Sequence, residues 1–390
     1  MAETADVVII GGAVIGSAVA YALSVNPDFQ GRVIVLEKDR SYERAASSLS
    51  TSGIRQQFSS AVNVKLSQYT VEFLKQADVH LGTDGSSSGI VFHENGYLLL
   101  GGPDAVGAFE DNNRLQRSLG VDVRLLGRSE LGRRFPWLTL DDIEVGSFTG
   151  PGEGWIDGYV LMGAFKRRAR ANGVEYRYVE ATGIVRDGDR ITGARCSGGV
   201  EIAAAHVVNA SGFNGRAIAG MAGVDLPLRN VKQVVFAFAS PHRAQGMPFV
   251  FTPDRLFFRP ESDDYIAGLG IKTLEQLSDF DVDYAVFEDE VWPRLAHRVA
   301  GFENARLRSA WAGHYDMSLL DHNAFIGAVP GLHGFYLANG FSGHGLMHSP
   351  GIGRALSELI IYGGYRTLDL SELSVRRIAA NAPMRESIQY

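Results

Sequence analysis

Residues 6–16, DVVIIGGAVIG, decide the fold. The run 6–10 is short, apolar and β-branched, the composition of a buried strand. Gly11, Gly12 and Gly16 follow at once, and the helix-prone stretch SAVAYALS comes directly after the cluster. A second apolar run, VIVLE at 33–37, completes strand, Gly-rich turn, helix and strand within about 30 residues, with Glu37 about 20 residues beyond the turn. Such a βαβ unit binds a dinucleotide. Gly11 permits the tight turn, Gly16 lets the helix lie against the strand, and the helix N-terminus offers unpaired N–H groups and a positive dipole end to a pyrophosphate. Glu37 suits an adenosine ribose and would repel a 2′-phosphate, which argues against NADP. One position departs from G-x-G-x-x-G: Ala13 stands at the middle glycine, so either the phosphate path shifts slightly or Gly12 supplies the close backbone approach.

Composition narrows the rest. Of 390 residues 46 are Gly, above the usual share of roughly 7%, while 45% hydrophobic and 21% charged residues are ordinary for a globular chain. Disorder and collagen-like repeats are excluded. The net charge of −7 gives no basic surface for nucleic acid. Cys196 is the single cysteine, so neither an internal disulfide nor a thiolate metal site can form, and a reducing, cytoplasmic setting is expected. Val7–Leu23 is apolar enough to mimic a signal sequence. Its flank carries Glu3 and Asp6 rather than basic residues, so it reads as a buried strand, turn and helix, and no transmembrane segment is expected.

A nicotinamide dehydrogenase would continue in regular βαβ units. Here the small-residue segment AASSLSTSGIRQQFSS at 45–60 follows, then a helix with Val62, Leu66, Tyr69 and Phe73 on one face. GYLLLG at 96–101 and HVVNASG at 206–212 read as strands, and Tyr159–Gly173 as an amphipathic helix whose Lys166, Arg167, Arg168 and Arg170 form a solvated face. Phe287, Val291, Leu295 and Val299 make a packing stripe interrupted at Pro293. Eight glycines fall between Gly327 and Gly353, a density that suits close approach to a planar cofactor. Ser349 and Pro350 read as the N-cap and first turn of a helix through Arg354 and Leu359 to Gly363. His344 and His348 are four residues apart, but without a third ligand no metal site is assigned.

At this point the chain resembles the FAD-dependent amine and amino-acid oxidoreductases that include D-amino-acid oxidase, glycine oxidase and monomeric sarcosine oxidase. The resemblance rests on VVIIGGAVIG with LEK at 36–38, SSLSTSGIRQQF at 47–58, FPWL at 135–138, VVNASG at 207–212, FFRP at 257–260, and WAGHYD with GFSGHGLMHSPGIG. It implies an α/β fold class: a Rossmann-like FAD domain from 1–85, 150–225 and 310–390, and an antiparallel-sheet substrate domain from 86–149 and 226–309. It also implies oxidation of a C–N bond by hydride transfer to flavin N5, then imine hydrolysis. The FAD-contacting positions it implies are Gly11, Gly12, Ala13, Ile15, Gly16, Glu37, Lys38, Ser47, Ser48, Ser52, Gly53, Ala181, Asn209, Ala210, Ser211, Gly212, Phe213, Gly313, His314, Gly343, His344, Gly345, Leu346 and Met347.

A substrate carboxylate in a water-poor pocket needs a cation. Arg55 matches the carboxylate-binding Arg of sarcosine-oxidase-like members, and its planar fork suits bidentate pairing. Arg259 shares a strand face with Phe257, whose position is substrate-facing in relatives; a structural salt bridge is the alternative role for Arg259. Where those relatives carry a second carboxylate-holding Lys this chain has Met347, and where they carry an oxygen-activating Lys it has Ile266. The electron acceptor is therefore left open between oxygen and an acceptor protein or quinone. His344 and Tyr315 are the candidate catalytic side chains, Tyr315 having a core role as its alternative. His314 occupies the slot where relatives attach flavin through Cys; a histidyl link is conceivable, and noncovalent FAD is expected. The expected substrate is a small amine bearing a carboxylate, sarcosine-, glycine- or iminodiacetate-like. A hydroxy-acid oxidoreductase and a non-catalytic FAD-binding assembly factor are the alternatives, and a homo-oligomer is compatible with either.

Overall fold

The computed structural model describes residues 3–83, 85–242 and 245–387. Strand Glu3–Ile10 is central to the first sheet, with Val33–Glu37 and Glu201–Asn209 parallel on its two sides. Glu175–Tyr178 and Phe335–Asn339 extend the parallel run, and Phe325–Ala328 closes one edge antiparallel. Val7, Val8 and Ile9 are wholly buried, as a parallel strand covered on both faces requires.

Helix Val14–Val25 packs against helices Gly158–Ala171 and Gly345–Tyr362, so elements from opposite ends of the sequence share one layer. Gly353 makes this contact possible, because a Cβ there would come 2.5 Å from the Ala18 carbonyl oxygen. The last helix starts earlier than its sequence suggests: His344, not Ser349, is the N-cap, and Pro350 lies inside. Pro350 has no N–H for the Leu346 carbonyl, and the Ser349 hydroxyl donates to that oxygen instead, at 2.9 Å. The expected end at Gly363 stands, with Gly363 at φ +70°.

The second sheet runs in the order Arg306–Ser318, Leu228–Ala239, Asp264–Leu269, Leu256–Glu261, Phe249–Phe251, Tyr97–Gly101, Val145–Thr149, Val123–Gly127. All neighbours are antiparallel except Phe249–Phe251 beside Tyr97–Gly101. One face buries Leu98, Phe236, Phe238 and Phe258 against Phe287, Val291, Leu295 and Val299. That stripe is a π-helical turn, Phe287–Val291, running into the α-helix Trp292–Arg298, with Pro293 in its first turn where a missing N–H is harmless. The other face carries Tyr97, Leu99, Phe249, Phe257 and Ile266 and meets the first domain so closely that a Cβ on Gly53 would lie 1.7 Å from the Tyr97 hydroxyl. The boundary expected at 310 falls inside the strand Arg306–Ser318, which pairs along its length with Leu228–Ala239.

The basic run on Gly158–Ala171 is not simply a solvated face. Arg167 and Arg168 donate to the Ser88 and Gly82 carbonyls, and the Lys166 ammonium stands over the rings of Tyr42, Tyr176 and Tyr178. Among the described residues no helix is long and apolar enough to cross a membrane.

Candidate cofactor cleft and substrate pocket

A cleft of about 990 Å³ runs along the carboxyl ends of the first sheet's central strands, at the upper end of the size range of small-molecule sites. Its wall includes Gly11, Ala13, Ile15, Glu37 and Lys38 from the first βαβ unit, Ser47, Ala181 and Ala210–Phe213 from the segments that follow, and Tyr315, Gly343, Gly345 and Leu346 from the C-terminal part of the chain. At the turn Gly11 has φ +100°, and a Cβ on it would strike the Ala210 carbonyl at 2.4 Å. A Cβ on Gly16 would sit 1.8 Å from the Gly11 carbonyl oxygen, so this glycine sets how near the helix comes to the turn. Ala13 is the N-cap of Val14–Val25 and makes no side-chain cap, which leaves the first-turn N–H groups open to the cleft. The Glu37 carboxylate accepts from the N–H of Gly12 and of Asp39, both at 2.8 Å.

Other expected positions stand behind this lining. Asn209 is fully buried; its amide donates to the Gly215 carbonyl at 2.9 Å and its oxygen accepts from the Ser211 hydroxyl at 2.7 Å, fixing the loop that lines the cleft. The Ser52 hydroxyl accepts from the Gly158 N–H, and Gly53 pairs with Trp155. Gly313 packs on Leu49. Met347 is buried in the core of the helical layer. His314 is buried with its ring edge-on to Phe280 at 4.5 Å, and burial holds its pKa below the ordinary value. Among the cleft-wall residues that sequence reasoning missed are Tyr42, Arg44, Phe280, Asp316 and Phe341. Asp316 is buried, accepts from the Gly340 N–H at 2.6 Å, and is pushed up by burial to about 6.

Three polar atoms in this region, Tyr42 Oη, Ser48 Oγ and His314 Nε2, are buried without a hydrogen-bond partner among the described residues. Buried polar atoms are nearly always partnered, and of the three Tyr42 stands on the cleft wall itself, where a polar ligand can satisfy it.

Arg55, half-buried, lies outside this lining and reaches the cleft wall through His344, which sits between the lining residues Gly343 and Gly345. Its guanidinium stacks 4.0 Å from the Phe58 ring centroid, reaches the Gln57 carbonyl, and places Nη2 3.4 Å from His344 Nε2. No carboxylate forms an ion pair with it among the described residues. Burial first, then the charges of Arg55 and His322, hold His344 down to about 3, so its ring is neutral. Tyr315 is pushed up by burial to about 12 and stays protonated. Behind Arg55 the Glu153 carboxylate is fully buried, accepts from Gln57 Nε2 at 2.7 Å and from the Gln56 N–H, and is raised by burial to about 7 despite the pull of Arg55. Arg259 is engaged elsewhere: it pairs with Glu261 at 2.5 Å and donates twice to the Thr51 carbonyl, at 3.1 and 2.9 Å. Those bonds correspond to the structural alternative weighed for it. Phe257 packs among Phe249 and Phe251, and Ile266 lies opposite Arg259 in the ladder.

The family model for FAD-dependent oxidoreductases matches residues 6–359. The chain belongs to this family. It is 35% identical over 98% of its length to FAD-dependent oxidoreductase domain-containing protein 1 of Xenopus laevis, covering 84% of that protein. Its structure superposes on L-proline dehydrogenase from P. horikoshii with a TM-score of 0.88 at 26% identity, covering 98% of this chain and 100% of the other. Glycine oxidase from Geobacillus kaustophilus shares the fold, with a TM-score of 0.82, 23% identity and 96% and 98% coverage. As a family member the protein is an FAD-dependent oxidoreductase related to amino-acid oxidases and dehydrogenases. The glycine turn that no Cβ could enter, the open helix N-terminus and the orphaned polar atoms fit that cofactor.

Proposed function

We propose that the cleft holds FAD noncovalently, adenosine at Glu37 and the flavin toward Tyr315 and Gly343, and that the enzyme oxidises the C–N bond of a small amino acid. N-substituted or cyclic secondary amines of the sarcosine, iminodiacetate or proline type fit best, in view of the similarity to L-proline dehydrogenase. FAD would supply the hydride acceptor: the unprotonated substrate amine loses a hydride from its α-type carbon, and water hydrolyses the resulting iminium to amine and carbonyl, releasing one proton to solvent. The observation that carries the reading is Arg55, a half-buried cation with no carboxylate of its own, backed by an aromatic ring and a neutral histidine. Such a cation suits a carboxylate brought in by substrate, and its fork fixes orientation as well as charge. Tyr315 contributes a hydroxyl that stays a donor at working pH.

His344 is too weak a base at neutral pH to take the amine proton, so it positions Arg55 and the substrate amine arrives unprotonated. His314 remains a neutral neighbour of the flavin edge without a covalent link. Cys196, buried and solitary, suits a reducing compartment such as the cytoplasm.

The test is Arg55→Ala in steady-state kinetics with the best substrate. Loss of a charge-assisted bidentate contact of about 1.5–3 kcal/mol raises KM by roughly 10- to 150-fold, with a smaller effect on kcat. An unchanged KM would remove the anchor from the mechanism.

A further inference from the structure

We propose that the Tyr42 hydroxyl is a cofactor-holding group, the donor that complements the acceptor Glu37 at the adenosine end of the cleft. The inference rests on the reading of the cleft as the FAD site. Tyr42 comes five residues after Glu37, in a loop with no regular structure, and is only 3% exposed. It holds a left-handed backbone at φ +59°, a conformation that is unfavourable for an aromatic residue and persists where surroundings impose it. Two backbone bonds fix that turn, Tyr42 N–H to the Asp39 carbonyl and Ala45 N–H to the Tyr42 carbonyl. The Lys166 ammonium lies 4.5 Å from the ring centroid and braces the phenol.

This geometry delivers the hydroxyl to the pyrophosphate turn. A Cβ built on Gly12 would lie 2.9 Å from Tyr42 Oη and 3.2 Å from the Glu37 Cβ, so Tyr42 and Glu37, both lining the cleft, meet at Gly12 beside it. Yet Oη has no hydrogen-bond partner among the described residues. Leaving a buried hydroxyl unpaired is costly, and here it is combined with an unfavourable backbone, an arrangement that makes sense once a ligand is bound.

The chemistry of the partner follows from its neighbours. A carboxylate only accepts, and Glu37 already takes two backbone N–H groups while keeping further lone pairs. A ribose hydroxyl both donates and accepts, so it can give its proton to Glu37 and take one from Tyr42. Burial raises the Tyr42 phenol far above its ordinary value, which keeps it a donor. With Ala13 in place of the middle glycine, Tyr42 adds a side-chain contact beside the same turn.

The experiment compares Tyr42→Phe and Glu37→Ala with wild type, titrating FAD into FAD-free protein while following flavin fluorescence, and recording Tm with and without FAD. Tyr42→Phe removes one oxygen and keeps the ring. The expected result is an FAD Kd raised about 5- to 15-fold, the equivalent of one hydrogen bond, with the FAD-free protein as stable as wild type or more so because an orphaned hydroxyl is gone. A Kd within about twofold of wild type overturns the proposal, as does an equal loss of Tm with and without FAD. If Glu37→Ala alone weakens FAD, Tyr42 fails and the cleft stands. If neither variant does, the assignment of the cleft fails with it.

Discussion

Glu153→Gln is a demanding perturbation because the structure sets both its sign and its size. Glu153 is fully buried, and burial raises its carboxyl from 4.5 to about 7. A group whose folded pKa lies above its unfolded value penalises the native state as it ionises: stability is unaffected below about pH 4.5, falls as pH rises toward 7, and is level above. At about 1.36 kcal/mol per unit the penalty at pH 8 is about 3 kcal/mol. A glutamine abolishes the ionisation and keeps one acceptor for the Gln56 N–H. Its new amide can donate to Gln57 Oε1, which is buried without a partner, once the Gln57 side chain turns over. Urea unfolding of both proteins from pH 5 to pH 8, with FAD saturating throughout so that cofactor binding contributes equally, gives the difference in stability. The variant should lie within about 1 kcal/mol of wild type near pH 5 and exceed it by up to about 3 kcal/mol at pH 8. A variant less stable than wild type at pH 8, with a difference that does not change with pH, would refute the reasoning and show that Arg55 keeps Glu153 ionised.

Asp316, raised by burial to about 6, follows the same sign over a lower window: wild type loses stability between roughly pH 4 and 6, and Asp316→Asn, which retains an acceptor for the Gly340 N–H, removes that slope in the same unfolding series. Gly353→Ala forces a Cβ against the Ala18 carbonyl; thermal unfolding should show a loss of about 1–3 kcal/mol, and FAD affinity should fall because the displaced helix carries Gly345 and Leu346 into the cleft. His344, held near 3, contributes no ionisation around neutral pH, so the kcat profile of His344→Gln should keep the wild-type shape at a lower rate; disappearance of an acid limb would restore His344 as the base.

Much of the scaffold was legible because it obeys short-range rules. The run from Asp6 to Gly16 and the spacing to Glu37 announce a strand, a turn and an acid at the end of the next strand, and the structure places each at the cleft or against it. The alternation of Phe257 and Arg259 gave their common face. What stayed hidden depends on contacts distant in sequence. Tyr42 and Phe280 sit in stretches without periodicity, so nothing local shows that they reach the cleft. Glu153 lies in the turn-like sequence PGEG, where a carboxylate reads as exposed; its burial comes from Gln56 and Gln57, almost a hundred residues away. Lys166 looked like part of a solvated stripe because the three tyrosines around it come from separate elements. At Ser349–Pro350 the local capping signal was overridden by a hydroxyl bond to Leu346 inside a helix already under way.

The central claim, that Arg55 anchors an amino acid for oxidation by FAD, is tested most directly by anaerobic mixing of the purified protein with amino, N-alkylamino and hydroxy acids while the absorbance of oxidised flavin is followed. The account predicts that a small secondary-amine amino acid bleaches the flavin, that Arg55→Ala needs far more of it to do so, and that matched amines lacking the carboxylate are poor reductants. Bleaching by hydroxy acids alone, or a flavin that no member of the panel reduces, would contradict it.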